Sequence, residues 1–151
     1  TPGGVVLWTR LAPDPLNGGG LDGQGPVEVR WELAADEGFG NIVQSGSTTA
    51  VPELGHAVHI DAVGLEPGAE IYYRFAALGE ISPVGRALTA PAPGSGADRL
   101  RLALASCQHF EDGFFTAFRH MAADAPDLVF HVGDYIYEYP PEDNPDAVRT
   151  H

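Results

Sequence analysis

The chain has 151 residues, enough for one domain or two small ones, and a formal charge of -13. That charge leaves no basic footprint for nucleic acid or an anionic membrane, and no apolar run approaches the ~18 residues a membrane span needs. A 44% hydrophobic content is enough for a core, 19 Gly and 13 Pro favour turns and short strands over a helical bundle, and one Cys excludes an internal disulfide framework.

Gly4–Arg10 (GVVLWTR) reads as a buried strand, followed by a Pro/Gly/Asn/Asp loop from Leu11 to Pro26. Gly18-Gly19-Gly20 has neither a following helix nor a Lys, so it reads as a flexible hairpin or surface loop and not as a phosphate cradle. Val27–Leu33 alternates, with Val27, Val29, Trp31 and Leu33 on one face and Glu28, Arg30 and Glu32 on the other, as in a half-buried antiparallel strand. Further short strands are expected at Asn41–Ser45, Ser47–Val51, Ala57–Ala62, Ile71–Ala77 and Val84–Ala90. Their number and spacing predict a β-sandwich of fibronectin type III or immunoglobulin character over residues 1–90. Gly64–Gly68 is similar to the Leu-x-Pro turn of fibronectin-like domains, with Ile71 where those domains carry a corner tyrosine. His56 and His59 lack Cys, Asp or Glu at ligand spacing and read as surface or satisfied polar residues.

Residues 91–98 (PAPGSGAD) hold no bulky apolar side chain and read as a linker. From 99 to 151 the chain carries the apolar run Leu102–Ala105, a helical pattern, and a second apolar run Leu128–Val132. Phe114, Phe118, Met121 and Ala125 recur on one helical face, with Glu111 and Asp112 at its start, His120 late and Pro126 just beyond. This is a β-α-β unit, and its near-continuous apolar strands suggest a parallel sheet buried on both faces. A two-stranded sheet cannot close an active site, so the second domain is expected to be incomplete within these residues.

Such sheets place ligands beyond the carboxyl ends of their strands. Cys107 follows the first strand; Asp134 and Tyr137 follow the second. Taken singly, Gly133-Asp134 opens a turn, Cys107 is a small buried hydrophobe and Tyr137 is core. Together they bring a thiolate, a carboxylate and a phenolate to one cleft. Three anions repel unless a multivalent cation lies between them; the oxygens suit a hard ion such as ferric iron or calcium, and the thiolate binds iron. The rival chemistry, a Cys107 nucleophile, needs a histidine base. His109 shows no evident partner in the sequence, and His131 lies within a strand as a hydrogen-bonded core residue.

The runs Ala105-Ser106-Cys107-Gln108, Gly113-Phe114-Phe115, Phe118–Met121, Pro126-Asp127-Leu128 and Gly133-Asp134-Tyr135-Ile136-Tyr137-Glu138 resemble the alkaline phosphatase D (PhoD-like) family of metallophosphoesterases. Val5–Leu11 is similar to the opening of that family's N-terminal sandwich. The resemblance implies an exported phosphodiesterase or phosphomonoesterase that acts on a small phosphoester with Fe3+ and Ca2+. By position it makes Cys107 and Tyr137 iron ligands, and Asp134 the catalytic carboxylate shared between iron and calcium. The family's later Asp, Asn and His motifs have no counterpart before His151, so this chain is expected to carry part of a site and to be inactive alone. The competing expectation is a fibronectin-like adhesion or carbohydrate-binding module without catalysis, its platform drawn from Trp8, Trp31, Tyr72 and Tyr73.

Overall fold

A computed structural model describes residues 1–15, 19–96, 99–109, 112–135 and 137. The chain divides into two compact units, Thr1–Ser95 and Gly96–His151. Among the described residues it is mostly β structure with one α-helix.

The first unit contains β1 (Gly4–Arg10), β2 (Val27–Ala34), β3 (Ile42–Ala50), β4 (Ala57–Val63), β5 (Glu70–Ala77), β6 (Glu80–Ile81) and β7 (Gly85–Leu88). β1 and β4 form an antiparallel pair, with Leu7 opposite Ile60. β2 lies between β3 and β5, and β5 also pairs with β6 and β7, all antiparallel. Alternation explains why these segments stop water on one side only. Val29 and Leu33 of β2 are fully buried, whereas Glu28 and Arg30 on either side of Val29 face out. Leu7, Val58, Ile60 and Ala62 from the β1–β4 pair meet Val29, Leu33, Ile71 and Phe75 from the larger sheet in one core. Ile71, at the position of the corner tyrosine, is therefore core. On the outer side, Arg74 is ion-paired to Glu32 at 2.6 Å and lies over the Phe39 ring at 4.1 Å.

The two strands expected at Asn41–Ser45 and Ser47–Val51 are one continuous strand, β3. Gly46, which suggested a break, sits opposite Trp31 in the ladder, and a Cβ there would lie 2.8 Å from Trp31 Cζ2. The indole fills the space a side chain would take, so this glycine serves packing and not a turn. The last expected strand, Val84–Ala90, shortens to β7. Thr89 leaves the ladder and is buried, its hydroxyl accepting from Ala69 N at 2.8 Å and donating to Glu66 O at 2.7 Å.

The second unit contains β8 (Leu102–Ala105), α1 (Thr116–Asp124) and β9 (Leu128–His131). β8 and β9 pair in parallel, Leu102 with Leu128 through Ala105 with His131. Two expectations are corrected here. The strands are not buried on both faces: Leu104 is 70% exposed and Phe130 49%. A pair of strands and one helix supply too few layers to cover two faces. The helix also starts later than its acidic signal, because Phe115 takes a left-handed φ of 51° before Thr116. Phe118 and Met121 remain half-buried on one face, Phe114 precedes the helix and is exposed, and His120 falls in mid-helix instead of near the C-terminus.

Candidate metal centre

The site is built where β8 and β9 end side by side. Val132 N donates to Ala105 O at 2.9 Å, Cys107 N to Gly133 O at 3.1 Å and Gln108 N to Asp134 O at 3.3 Å. The two chain segments therefore stay bonded to each other past the strands. Both then turn through left-handed backbone, at Cys107 (φ 55°) and Asp134 (φ 51°).

These turns bring the three sequence-predicted residues together. Cys107 Sγ donates to Asp134 Oδ2 at 3.4 Å, and the Tyr137 hydroxyl donates to the same oxygen at 3.1 Å. Cys107 and Asp134 are exposed, and Tyr137 is half-buried. Partial removal from water, then the hydrogen bonds with Asp134 and Cys107, push the Tyr137 phenol up to about 12. It therefore holds its proton, donated to Asp134, throughout the neutral range.

The other candidates lie elsewhere. His56 is buried, with Nε2 3.3 Å from Gly25 O, and His59 is exposed on β4. His131 departs from expectation: it is half-buried, but its Nε2 has no hydrogen-bond partner among the described residues, and its ring meets Tyr135 edge-on at 4.9 Å. Of the aromatics considered for a glycan platform, only Trp8 (55% exposed) stands well clear, since Trp31 and Tyr73 pack against the core and Tyr72 donates to Glu70. Sequence reasoning weighed His109 only as a base for Cys107. In the structure its imidazole lies against the Tyr137 ring, centroids 4.9 Å apart, and Nδ1 is 3.6 Å from Asp112 Oδ1. Its place two residues beyond Cys107, in the same loop, was the available signal.

Residues 1–91 match the family described as "PhoD-like phosphatase, N-terminal domain", and residues 102–151 match "PhoD-like phosphatase". The chain belongs to the PhoD-like phosphatase family. It is 55% identical over 150 residues to alkaline phosphatase D of Bacillus subtilis (strain 168), covering 97% of this chain and 26% of that protein. A solved structure titled "Structure of PhoD" superposes with a TM-score of 0.86 at 55% identity, covering 93% of this chain and 27% of that one. The chain thus spans about a quarter of the length of the relatives it matches.

The donor set suits the ions that the resemblance implies. Sulfur with carboxylate and phenol oxygen is chemistry for iron, and the carboxylate oxygens are equally suited to calcium. The set is partial. Among the described residues no three His, Cys, Asp or Glu side chains cluster, and the third donor is a tyrosine. No helix among these residues is long and apolar enough to cross a membrane.

Proposed function

We propose that this chain is the N-terminal part of an exported, metal-dependent phosphoester hydrolase of the alkaline phosphatase D or phosphodiesterase type, acting on a small phosphoester. In this reading residues 1–90 are a fibronectin III- or immunoglobulin-like sandwich, 91–98 a linker, and 99–151 the opening of a metallophosphoesterase catalytic domain. The observation that carries it is the meeting of a thiol and a phenol on a single Asp134 oxygen, in a chain 55% identical to a protein named alkaline phosphatase D. Cys107 and Tyr137 would hold ferric iron, and Asp134 would be shared between iron and calcium.

Bound cations of this kind neutralise phosphoryl oxygens and supply hydroxide at neutral pH. The protein's own part is to hold three donors at one point and give up their protons. Asp134, which accepts two hydrogen bonds when no ion is bound, offers the same oxygen to a cation once the thiol and phenol have lost their protons. In this reading Cys107 would serve as a ligand and would form no bond to phosphorus. Three donors fall short of two ions' needs, so the chain alone is expected to be inactive.

The test is iron and calcium content, by elemental analysis, of the full-length protein, together with hydrolysis of a phosphodiester and a phosphomonoester before and after chelation. Stoichiometric metal and chelator-sensitive turnover are expected. A metal-free protein, or turnover indifferent to chelation, would sink the reading.

A further inference from the structure

We propose that His109 is a positioning residue for the metal centre: its imidazole packs against the Tyr137 ring and holds the phenol oxygen on Asp134. This rests on the reading of Tyr137 as an iron ligand and extends it to a residue that touches neither the ion nor the substrate. The geometry begins in the backbone. Cys107 N bonds Gly133 O and Gln108 N bonds Asp134 O, so the loop after β8 is tied to the loop after β9. His109 lies two residues past Cys107 and Tyr137 three past Asp134. The tie therefore delivers the imidazole to the phenol, with centroids 4.9 Å apart and planes inclined at 51°.

The His109 side chain is only 17% exposed, and the carboxylate of Asp112, 66% exposed, lies 3.6 Å from Nδ1, near enough to pair with the ring when it carries a second proton. The imidazole thus backs the phenol, whose hydroxyl ends on the oxygen that also receives Cys107 Sγ. A tyrosine ring turns freely about its two side-chain torsions unless something packs on its face. Metal affinity falls by about 10–100-fold when the groups that orient a ligand are removed. His109 supplies that orientation here by ring packing.

The experiment uses the full-length protein in three variants, His109→Ala, His109→Phe and Asp112→Asn. Each is read by a crystal structure of the metal-free form and by iron affinity. The phenolate-to-iron charge-transfer absorbance per bound iron is measured alongside. His109→Ala should release the Tyr137 hydroxyl from Asp134, weaken iron by about tenfold and shift or diminish the absorbance. His109→Phe, which keeps a flat ring, should restore all three, and Asp112→Asn should give a smaller loss. A His109→Ala protein with Tyr137 still bonded to Asp134 and unchanged absorbance overturns the proposal, as does a Phe variant no better than Ala. If the parent protein binds no iron, the metal reading fails by itself, and the position of Tyr137 in the variant crystals still decides the role of His109. Should the Ala variant not fold, the Phe and Asn variants carry the same comparison.

Discussion

Asp134→Asn is the sharpest perturbation of the centre, because it changes charge and little else. Asp134 sits at φ 51°, a left-handed conformation that costs most L-residues roughly 1–2 kcal/mol but that Asn and Asp adopt several times more readily than other side chains. Asn can keep this backbone, and its amide oxygen can still accept from Cys107 Sγ and the Tyr137 hydroxyl, now at 3.4 and 3.1 Å. Alanine, by contrast, would lose both bonds and take on the backbone cost, mixing folding with chemistry. What Asn cannot supply is the negative charge at the oxygen where the other two donors meet. Removing groups that merely orient a ligand weakens metal by about 10–100-fold. Loss of a direct carboxylate ligand should therefore exceed about 100-fold, or about 2.8 kcal/mol at about 1.4 kcal/mol per decade. The assay is competitive iron and calcium binding to full-length protein, with phosphodiester turnover and a thermal melt on the same samples. A variant that melts like the parent but has lost metal and turnover is expected. Metal affinity within tenfold of the parent would refute the assignment of Asp134 as a ligand.

The Tyr137 phenol, pushed up to about 12 mainly by partial removal from water and its bond to Asp134, keeps its proton as pH rises through neutrality. A cation must displace that proton, so iron affinity should strengthen by about one decade per pH unit from Tyr137 alone below that value, and Tyr137→Phe should lower the slope by about one in a pH series of metal titrations. In the first unit, Leu33 is fully buried, and Leu33→Ala should cost about 3 kcal/mol, lowering its melting temperature by roughly 12–24 °C; a shift of a degree or two in calorimetry would show that the site collapses or is not core. Gly46→Ala forces a Cβ to within 2.8 Å of Trp31 Cζ2 and should cost about 1–3 kcal/mol in urea titration. The displaced indole should change its fluorescence, and a silent spectrum would argue against the Trp31–Gly46 pairing.

The strands of the first unit were legible because one face of each is wet: Val29 and Leu33 against Glu28 and Arg30 is a period-two pattern that nothing but a strand satisfies. Legibility failed where a tertiary partner stood in for a local rule. Gly46 reads as punctuation until Trp31 is seen lying across it, and the chain offers no local sign of that contact. Glu111 and Asp112 look like an acidic helix start, yet Asp112 faces His109 and the helix waits for Thr116. The meeting of Cys107, Asp134 and Tyr137 was legible because strand ends are readable from apolar runs, and parallel pairing then dictates that the segments beyond them meet. His109 was missed as a neighbour of Tyr137 because a ring contact between loops has no period.

Two left-handed residues that are not glycine, facing one another past adjacent strands, need a physical reason. Each costs about 1–3 kcal/mol unless its surroundings hold it. Cys107 has no side-chain amide or carboxylate to ease that conformation, and on the facing segment Gly133 supplies a further positive φ, 137°, just before Asp134. An extended continuation would carry the side chains after β8 and β9 to alternate faces of the sheet and past each other. The reversal at Cys107 and Asp134 turns the sulfur and the carboxylate toward each other, and the backbone bonds from Cys107 N and Gln108 N hold it there. Left-handed backbone alone marks no cation site, since Phe39, His56, Leu78, Phe115 and Ala125 take it as well; what sets Cys107 and Asp134 apart is that their turns bring a thiol and a carboxylate together, with the Tyr137 phenol on the same oxygen.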